Sequence, residues 1–250
     1  LYAPSSPRLF AMQKLVEVGH FNMARIRLIW TRVWSLLGEH FQSAAAHSDQ
    51  SVGMYAIDSL RQLAAKFLSR EELTKFAYQE EVLRPFATLV RSGSVTCQEL
   101  AVHCVGQICE SNAAYLRSGW RIVFACLMNA STQDVDSVVH AAQSVLGKIL
   151  YASTFKPISD KCAADCINCL LSLANNHHCN TSQVGKFIKQ LAGKLALDES
   201  GEVVSVEEVE LQWEPLLAGL TSLCLEPHLR STALSVLFDI LLTHGYGIES

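Results

Sequence analysis

Apolar residues recur along this chain at spacings of three and four, and few folds other than packed helices can satisfy that period. Met23, Ile26, Trp30, Val33 and Leu37 form one such face. Met54, Ile57, Leu60, Ala64, Phe67 and Leu68 form a second, with Leu63 at its edge. The pattern returns in Leu100, Cys104 and Ile108, in Val138, Ala142, Val145 and Ile149, and in Cys166, Cys169, Leu170 and Leu173. It closes with Val184, Phe187, Ile188, Leu191 and Leu195, then Leu234, Leu237, Phe238 and Leu241. Strand-like alternation is nearly absent. Turn formers are sparse, with six prolines and 13 glycines in 250 residues, so the helical segments run long before they are interrupted.

The pattern predicts helices at roughly 8–18, 22–42, 50–68, 79–91, 95–110, 119–130, 134–152, 159–175, 182–196, 207–223 and 228–244. Ser51, Ser94 and Ser182 stand where side-chain N-caps are expected. Short polar connectors such as Ser92-Gly93-Ser94 join the segments, and helices joined so closely pack antiparallel to their neighbours. Pairs repeating about every 40 residues specify an all-α, HEAT/armadillo-like helical solenoid of antiparallel helix pairs. The repeat is structural; no strict sequence period accompanies it. The stretch 198–208, rich in Asp, Glu, Ser and Gly, reads as a linker.

The bulk composition narrows the function. A chain of 250 residues buries a core without disulfides or metals. No apolar run approaches the roughly 20 residues that span a bilayer. Leu1 to Arg8 contain no initiator Met and no signal-peptide pattern, so the chain reads as an internal piece of a longer protein. The net charge of −4 weighs against a nucleic-acid partner. The nine cysteines are odd in number, and Cys104, Cys109, Cys126 and Cys224 sit within apolar helical patterns. Free cysteine so placed acts as a small hydrophobe, which fits a reducing, cytosolic compartment.

No constellation of catalytic residues emerges. Cys162, Cys166, Cys169, His177, His178 and Cys179 invite a zinc reading, because zinc needs four converging nitrogen or sulfur ligands. The three cysteines are spaced i, i+4 and i+7 beside Leu170 and Leu173, however, which is the core face of a helix. Neither a metal nor another cofactor is expected. There is no nucleophile-bearing turn and no phosphate-cradling Gly-rich loop. The adjacent pairs Glu71-Glu72, Glu80-Glu81 and Glu207-Glu208 point apart on a helix and read as solvated faces.

Arg25, Arg27 and Arg32 interleave with Trp30 and Trp34, and arginine and tryptophan are the residue types enriched in binding hot spots. Arg25 and Arg32 are seven apart and are expected on one side of a helix. In the alternative reading both tryptophans pack in the core while the arginines pair with acids such as Asp58. The same two readings apply to Arg61, Lys66, Arg84, Arg117 and Trp120.

Several strings resemble the large Golgi exchange factors for Arf GTPases of the brefeldin-A-inhibited type. They are LYAPSSPRLFAMQKLVEV (1–18), FNMARIRLIWTRVWSLLGEHF (21–41), MYAIDSLRQLAAKFL (54–68), EEL (71–73), LRPF (83–86) and LRSGW (116–120). WEPLLAGL (213–220) and LRSTALSVLFDILLTHGYG (229–247) continue the likeness, with Trp213, Pro215, Arg230 and Phe238 at positions the family tends to keep. The segment 155–208 departs most. The resemblance implies three regions: a first homology region downstream of the catalytic domain (1–155), a variable helical segment (156–208), and the start of a second downstream region (209–250).

It implies further that the catalytic exchange domain lies outside these residues, and that this part is regulatory and not itself an enzyme. The partners implied are a GTP-bound Arf-type GTPase and other domains of the parent chain, with peripheral recruitment to trans-Golgi membranes and homodimerisation also open. Arg25, Arg27, Arg32, Arg61, Arg84 and Arg117 are nominated for partner binding on their chemistry, not on an inherited motif. A structural scaffold is the competing reading, which an exposed apolar helical face would favour. Direct lipid binding is the third; the overall acidity opposes it, although residues 21–36 are locally basic.

Overall fold

The computed structural model describes residues 9–25, 27–70, 78–152, 160–196 and 206–244. Among them it forms eleven helices and no strand. These are α1 (Leu9–Asn22), α2 (Arg27–Ala45), α3 (Gln50–Leu68), α4 (Gln79–Ser92), α5 (Val95–Asn112) and α6 (Gly119–Ser131), then α7 (Asp136–Tyr151), α8 (Asp160–Asn175), α9 (Thr181–Leu195), α10 (Val206–Leu225) and α11 (Arg230–His244). The chain divides into two compact units, Leu1–Cys126 and Leu127–Ser250.

In the first unit α1 packs on α2 and α3, α2 on α3 and α4, and α3 and α4 on α5. In the second, α7 packs on α9, α8 on α9 and α10, and α9 and α10 on α11. Within each unit, contacts from a helix to the one after next, such as α1 with α3, α3 with α5 and α8 with α10, are the mark of HEAT- and armadillo-like stacks, in which alternate helices build two layers. The side-chain hydrogen bonds between non-successive elements carry the same period. They span from 36 residues, for Gln79 to Tyr115, to 52, for Cys97 to Ala45.

Burial follows the apolar stripes. Trp30, Trp34, Phe41, Ile57, Leu60, Phe67 and Phe86 are buried in the first unit, and Val138, Ile167, Leu173, Phe187, Leu191 and Leu216 in the second. Trp30 stacks on Phe67 with ring centroids 5.5 Å apart. Cys162, Cys166 and Cys169 are buried along α8, and loss of water contact pushes the Cys162 thiol up to about 12.

Three local expectations are corrected. The break between the first two helices falls at Met23–Arg25, not at residues 19–21, because α1 continues to Asn22. Met23 is buried in that turn, and Arg70 Nη1 donates to its carbonyl at 3.0 Å. Ile26 and the linker residues 198–205 lie outside the described residues, and α10 begins at Val206. Asp49 and Asn180 cap α3 and α9, accepting from the Ser51 and Gln183 amides at 2.9 and 3.1 Å. Ser51 and Ser182 thus lie inside their helices, and Ser94 holds the N-cap position of α5 without a side-chain capping hydrogen bond. The third concerns α11, whose buried stripe is Ala233, Val236 and Ile240, with Leu229 just before the helix. Leu234, Phe238 and Leu241 face outward. That helix is apolar on every side, so periodicity alone does not select its inner face.

Candidate partner-binding surface

The central feature of the first unit starts from a proline. Pro85 lies inside α4 and has no N–H to give the carbonyl of Glu81, four residues earlier. Trp34 of α2 fills the gap, its indole Nε1 donating to the Glu81 carbonyl at 3.0 Å. The Trp34 ring is buried beside Trp30, with centroids 6.0 Å apart. Gly38 lies one turn further along α2, where a Cβ would meet Pro85 Cγ at 3.4 Å, so the two helices cross closely.

The crossing leaves a groove. A cleft of about 320 Å³ runs between α2 and α4, past Ser35, Glu39, Glu81 and Arg84. A second cleft of about 460 Å³ lies where α2 and α4 end and α3 and α5 begin, past His47, Met54 and Cys97. Gln42 and Thr88 line both, so the two clefts adjoin. The Ser94 and Thr96 hydroxyls and the half-buried Cys97 thiol, which donates to the Ala45 carbonyl at 3.2 Å, give the floor a polar end.

The six nominated arginines do not converge. Arg84 lines the α2/α4 cleft and is paired with Glu81 on its own helix. Arg32 is exposed on α2 with no ion pair among the described residues. Arg25 is exposed in the bend before α2, so the expected sharing of one helical side with Arg32 is not found. Arg27 is the first residue of α2, and its side chain lies outside what is described. Arg61 pairs with Asp58 on its own helix at 2.7 Å, which corrects the idea that Asp58 answers the arginines of α2. Arg117 is exposed, and its Nη1 donates to the carbonyl of Leu116 at 3.1 Å. Trp120 is buried.

Sequence reasoning missed the polar stripe Ser35, Glu39 and Gln42. Its i, i+4, i+7 spacing, opposite the buried face of Trp30, Trp34, Leu37 and Phe41, was the available signal.

Gln79 is the other built-in polar device of this unit. It is buried at the start of α4. Its Oε1 accepts from the amides of Arg117 at 2.8 Å and Gly119 at 3.1 Å, and its Nε2 donates to the Tyr115 carbonyl at 2.8 Å. Gln79 thereby caps the N-terminus of α6 from another helix.

These stacked helices, with an open groove and no assembled catalytic constellation among the described residues, define a helical-repeat module. The family model described as Mon2/Sec7/BIG1-like, HDS, matches residues 66–148. Across 98% of its length the chain is 33% identical to brefeldin A-inhibited guanine nucleotide-exchange protein 3 of Arabidopsis thaliana, covering 16% of that protein. Across its whole length it is 32% identical to brefeldin A-inhibited guanine nucleotide-exchange protein 1 of Homo sapiens, covering 14% of it. These matches support a region of the brefeldin A-inhibited type of exchange protein, and the chain spans about a seventh of the length of such relatives.

Proposed function

We propose that this chain is a non-catalytic regulatory and recruitment module of an Arf guanine-nucleotide exchange factor, and that it binds the GTP-bound form of an Arf-type GTPase. The observation that carries the reading is the match along essentially the whole chain to one short stretch of nucleotide-exchange proteins, made by a helical stack without a nucleophile-bearing turn or phosphate loop. The adjacent clefts between α2 and α4 are the docking surface, with Arg84 at the edge and Arg32 on the adjoining exposed stripe. GTP orders the switch segments of a small GTPase, so a preformed groove discriminates nucleotide state by accepting only the ordered shape. Binding active GTPase at trans-Golgi membranes would hold the parent's exchange domain where its product already accumulates, which is positive feedback. No described helix is long and apolar enough to cross a membrane.

The test is co-sedimentation of the chain with liposomes carrying a lipid-anchored Arf-type GTPase, loaded with a GTP analogue or with GDP. Sedimentation with the GTP form alone, weakened by Arg32→Glu or Arg84→Glu, is the expected result. Equal sedimentation with bare liposomes would move the site to lipid. No sedimentation in any condition would remove the recruitment reading.

The exposed face of α11 favours a second reading. Phe238 and Leu242 are 59% and 73% exposed, with Leu234 and Leu241 beside them. Such a face suits a scaffold contact with neighbouring domains of the parent or with a second copy. Concentration-dependent dimerisation abolished by Phe238→Asp would support it.

A further inference from the structure

Two connectors of the second unit meet at a cluster of imidazoles and carboxylates that the docking reading does not use. Asp134 lies between α6 and α7, Asp136 and His140 open α7, and His177 and His178 lie in the turn between α8 and α9. One oxygen of Asp134, Oδ1, is 3.0 Å from His178 Nε2 and 3.3 Å from His177 Nε2. The two imidazole centroids are 4.0 Å apart. Candidate ligand atoms of Asp134, His177 and His178 all fall within 4.8 Å of one another. Behind them the Asp136 carboxylate is 3.7 Å from His178 Nδ1 and 3.0 Å from His140 Nδ1.

The turn is fixed from both sides. Asn176 Nδ2 donates to the carbonyls of Ser131 and Gln133 at 2.8 and 2.9 Å, while its Oδ1 accepts from the His178 amide at 2.9 Å. One side chain thus ties the two connectors together beside the imidazoles. Gln143, buried on α7, accepts from the Cys179 thiol at 3.2 Å and the Asn180 amide at 3.3 Å. His178 itself is three-quarters buried, with side-chain exposure of 25%.

We propose that Asp134, His177 and His178 form a binding site for a borderline divalent ion of the zinc class, with water completing its shell. Zinc binds imidazole nitrogen at about 2.0–2.1 Å and carboxylate oxygen at about 2.0–2.2 Å, so tetrahedral donors lie about 3.3 Å from one another. The Asp134 oxygen already holds nearly that distance from both imidazoles. Two nitrogen donors select against magnesium and calcium, which take oxygen. The Asp136 carboxylate, 3.7 Å from His178 Nδ1, stands where a small shift would give a metal-bound imidazole the outer carboxylate partner such ligands usually have. The cysteines that first suggest zinc are not part of it, because Cys162, Cys166 and Cys169 are buried along α8 and the ligand atoms that gather are those of Asp134, His177 and His178. A bound ion would staple the α6–α7 connector to the α8–α9 turn.

The experiment is calorimetric titration of the 250-residue chain with zinc chloride, paired with the visible absorption of the cobalt(II) form. The expected result is one equivalent bound at micromolar concentration, with a tetrahedral cobalt spectrum. Asp134→Asn, His177→Gln and His178→Gln should each weaken binding at least about tenfold, while Cys179→Ser leaves it unchanged. Asp134 and His177 are exposed and His178 is partly buried, and far-ultraviolet circular dichroism checks that the variants keep their helices. Absence of saturable binding below millimolar metal overturns the proposal. So does undiminished binding in the His177→Gln/His178→Gln double variant, which would place the ion elsewhere.

Discussion

Replacing Trp34 by Phe tests whether a tertiary side chain completes the helix that Pro85 interrupts. The substitution removes the indole N–H that satisfies the Glu81 carbonyl at 3.0 Å. An acceptor so stranded in a partly buried place costs about 1–3 kcal/mol. The smaller ring also leaves unfilled space in the core, for about 1 kcal/mol more. A total loss of about 2–4 kcal/mol is expected. The informative comparison is the same change beside Pro85→Ala. Alanine restores the amide at position 85, which can then donate to the Glu81 carbonyl as in any helix. In that background Trp34→Phe should cost only its packing share, leaving a coupling energy of about 1–3 kcal/mol in the double-mutant cycle. Urea unfolding of the four proteins, followed by circular dichroism, measures it. Additivity within about 0.5 kcal/mol would refute the account, because the indole and the missing proline amide would then act independently.

Other changes read other parts of the fold. Gln79→Met strands the buried amide of Gly119 and two partly buried partners, and should cost about 3 kcal/mol, with faster hydrogen exchange at the start of α6. Gly147→Ala puts a Cβ 2.6 Å from the ring of buried Phe187 and should destabilise by about 1–3 kcal/mol in thermal unfolding. Gly193→Ala in α9 meets nothing within 4 Å and should stabilise by about 0.5–1 kcal/mol. Burial pushes the thiols of Cys104, Cys126 and Cys162 up to about 12 from 9.0. An unfolded chain therefore releases those protons first. The stabilising contribution is whole below pH 9 and is lost as pH rises toward 12, at about 1.4 kcal/mol per thiol per pH unit. Alkylation mapped by mass spectrometry at neutral pH should find Cys97 and Cys224 modified well before these three.

Helix positions were legible because long segments with a 3.6-residue period leave little choice, and the structure reproduces the order of all the expected elements among its described residues. What the sequence did not reveal lies in polar detail. Ser51 looks as good a cap as Asp49, and the deciding fact is which residue keeps extended backbone, a property of the preceding chain. The inner face of α11 was hidden because leucine and phenylalanine surround that helix, so its neighbours α9 and α10 choose the face that is buried. The arginines attracted notice through their residue type. Their partners turned out to be neighbours on the same helix for Arg61 and Arg84, and intrahelical pairs of this sort add only tenths of a kcal/mol. The groove is lined by Ser35, Glu39, Gln42 and Thr88, residues whose chemistry is ordinary and whose placement becomes visible only when α2 crosses α4.

Among the described residues, tertiary hydrogen bonds that reach no further than 36 to 52 residues have a consequence for synthesis. A chain leaving the ribosome needs only the next two helices, not its distant end, before each new segment finds its native neighbours. Closing loops of this size costs little entropy, and low contact order speeds folding. A stack built this way can be completed during translation, with each finished layer serving as the template for the next.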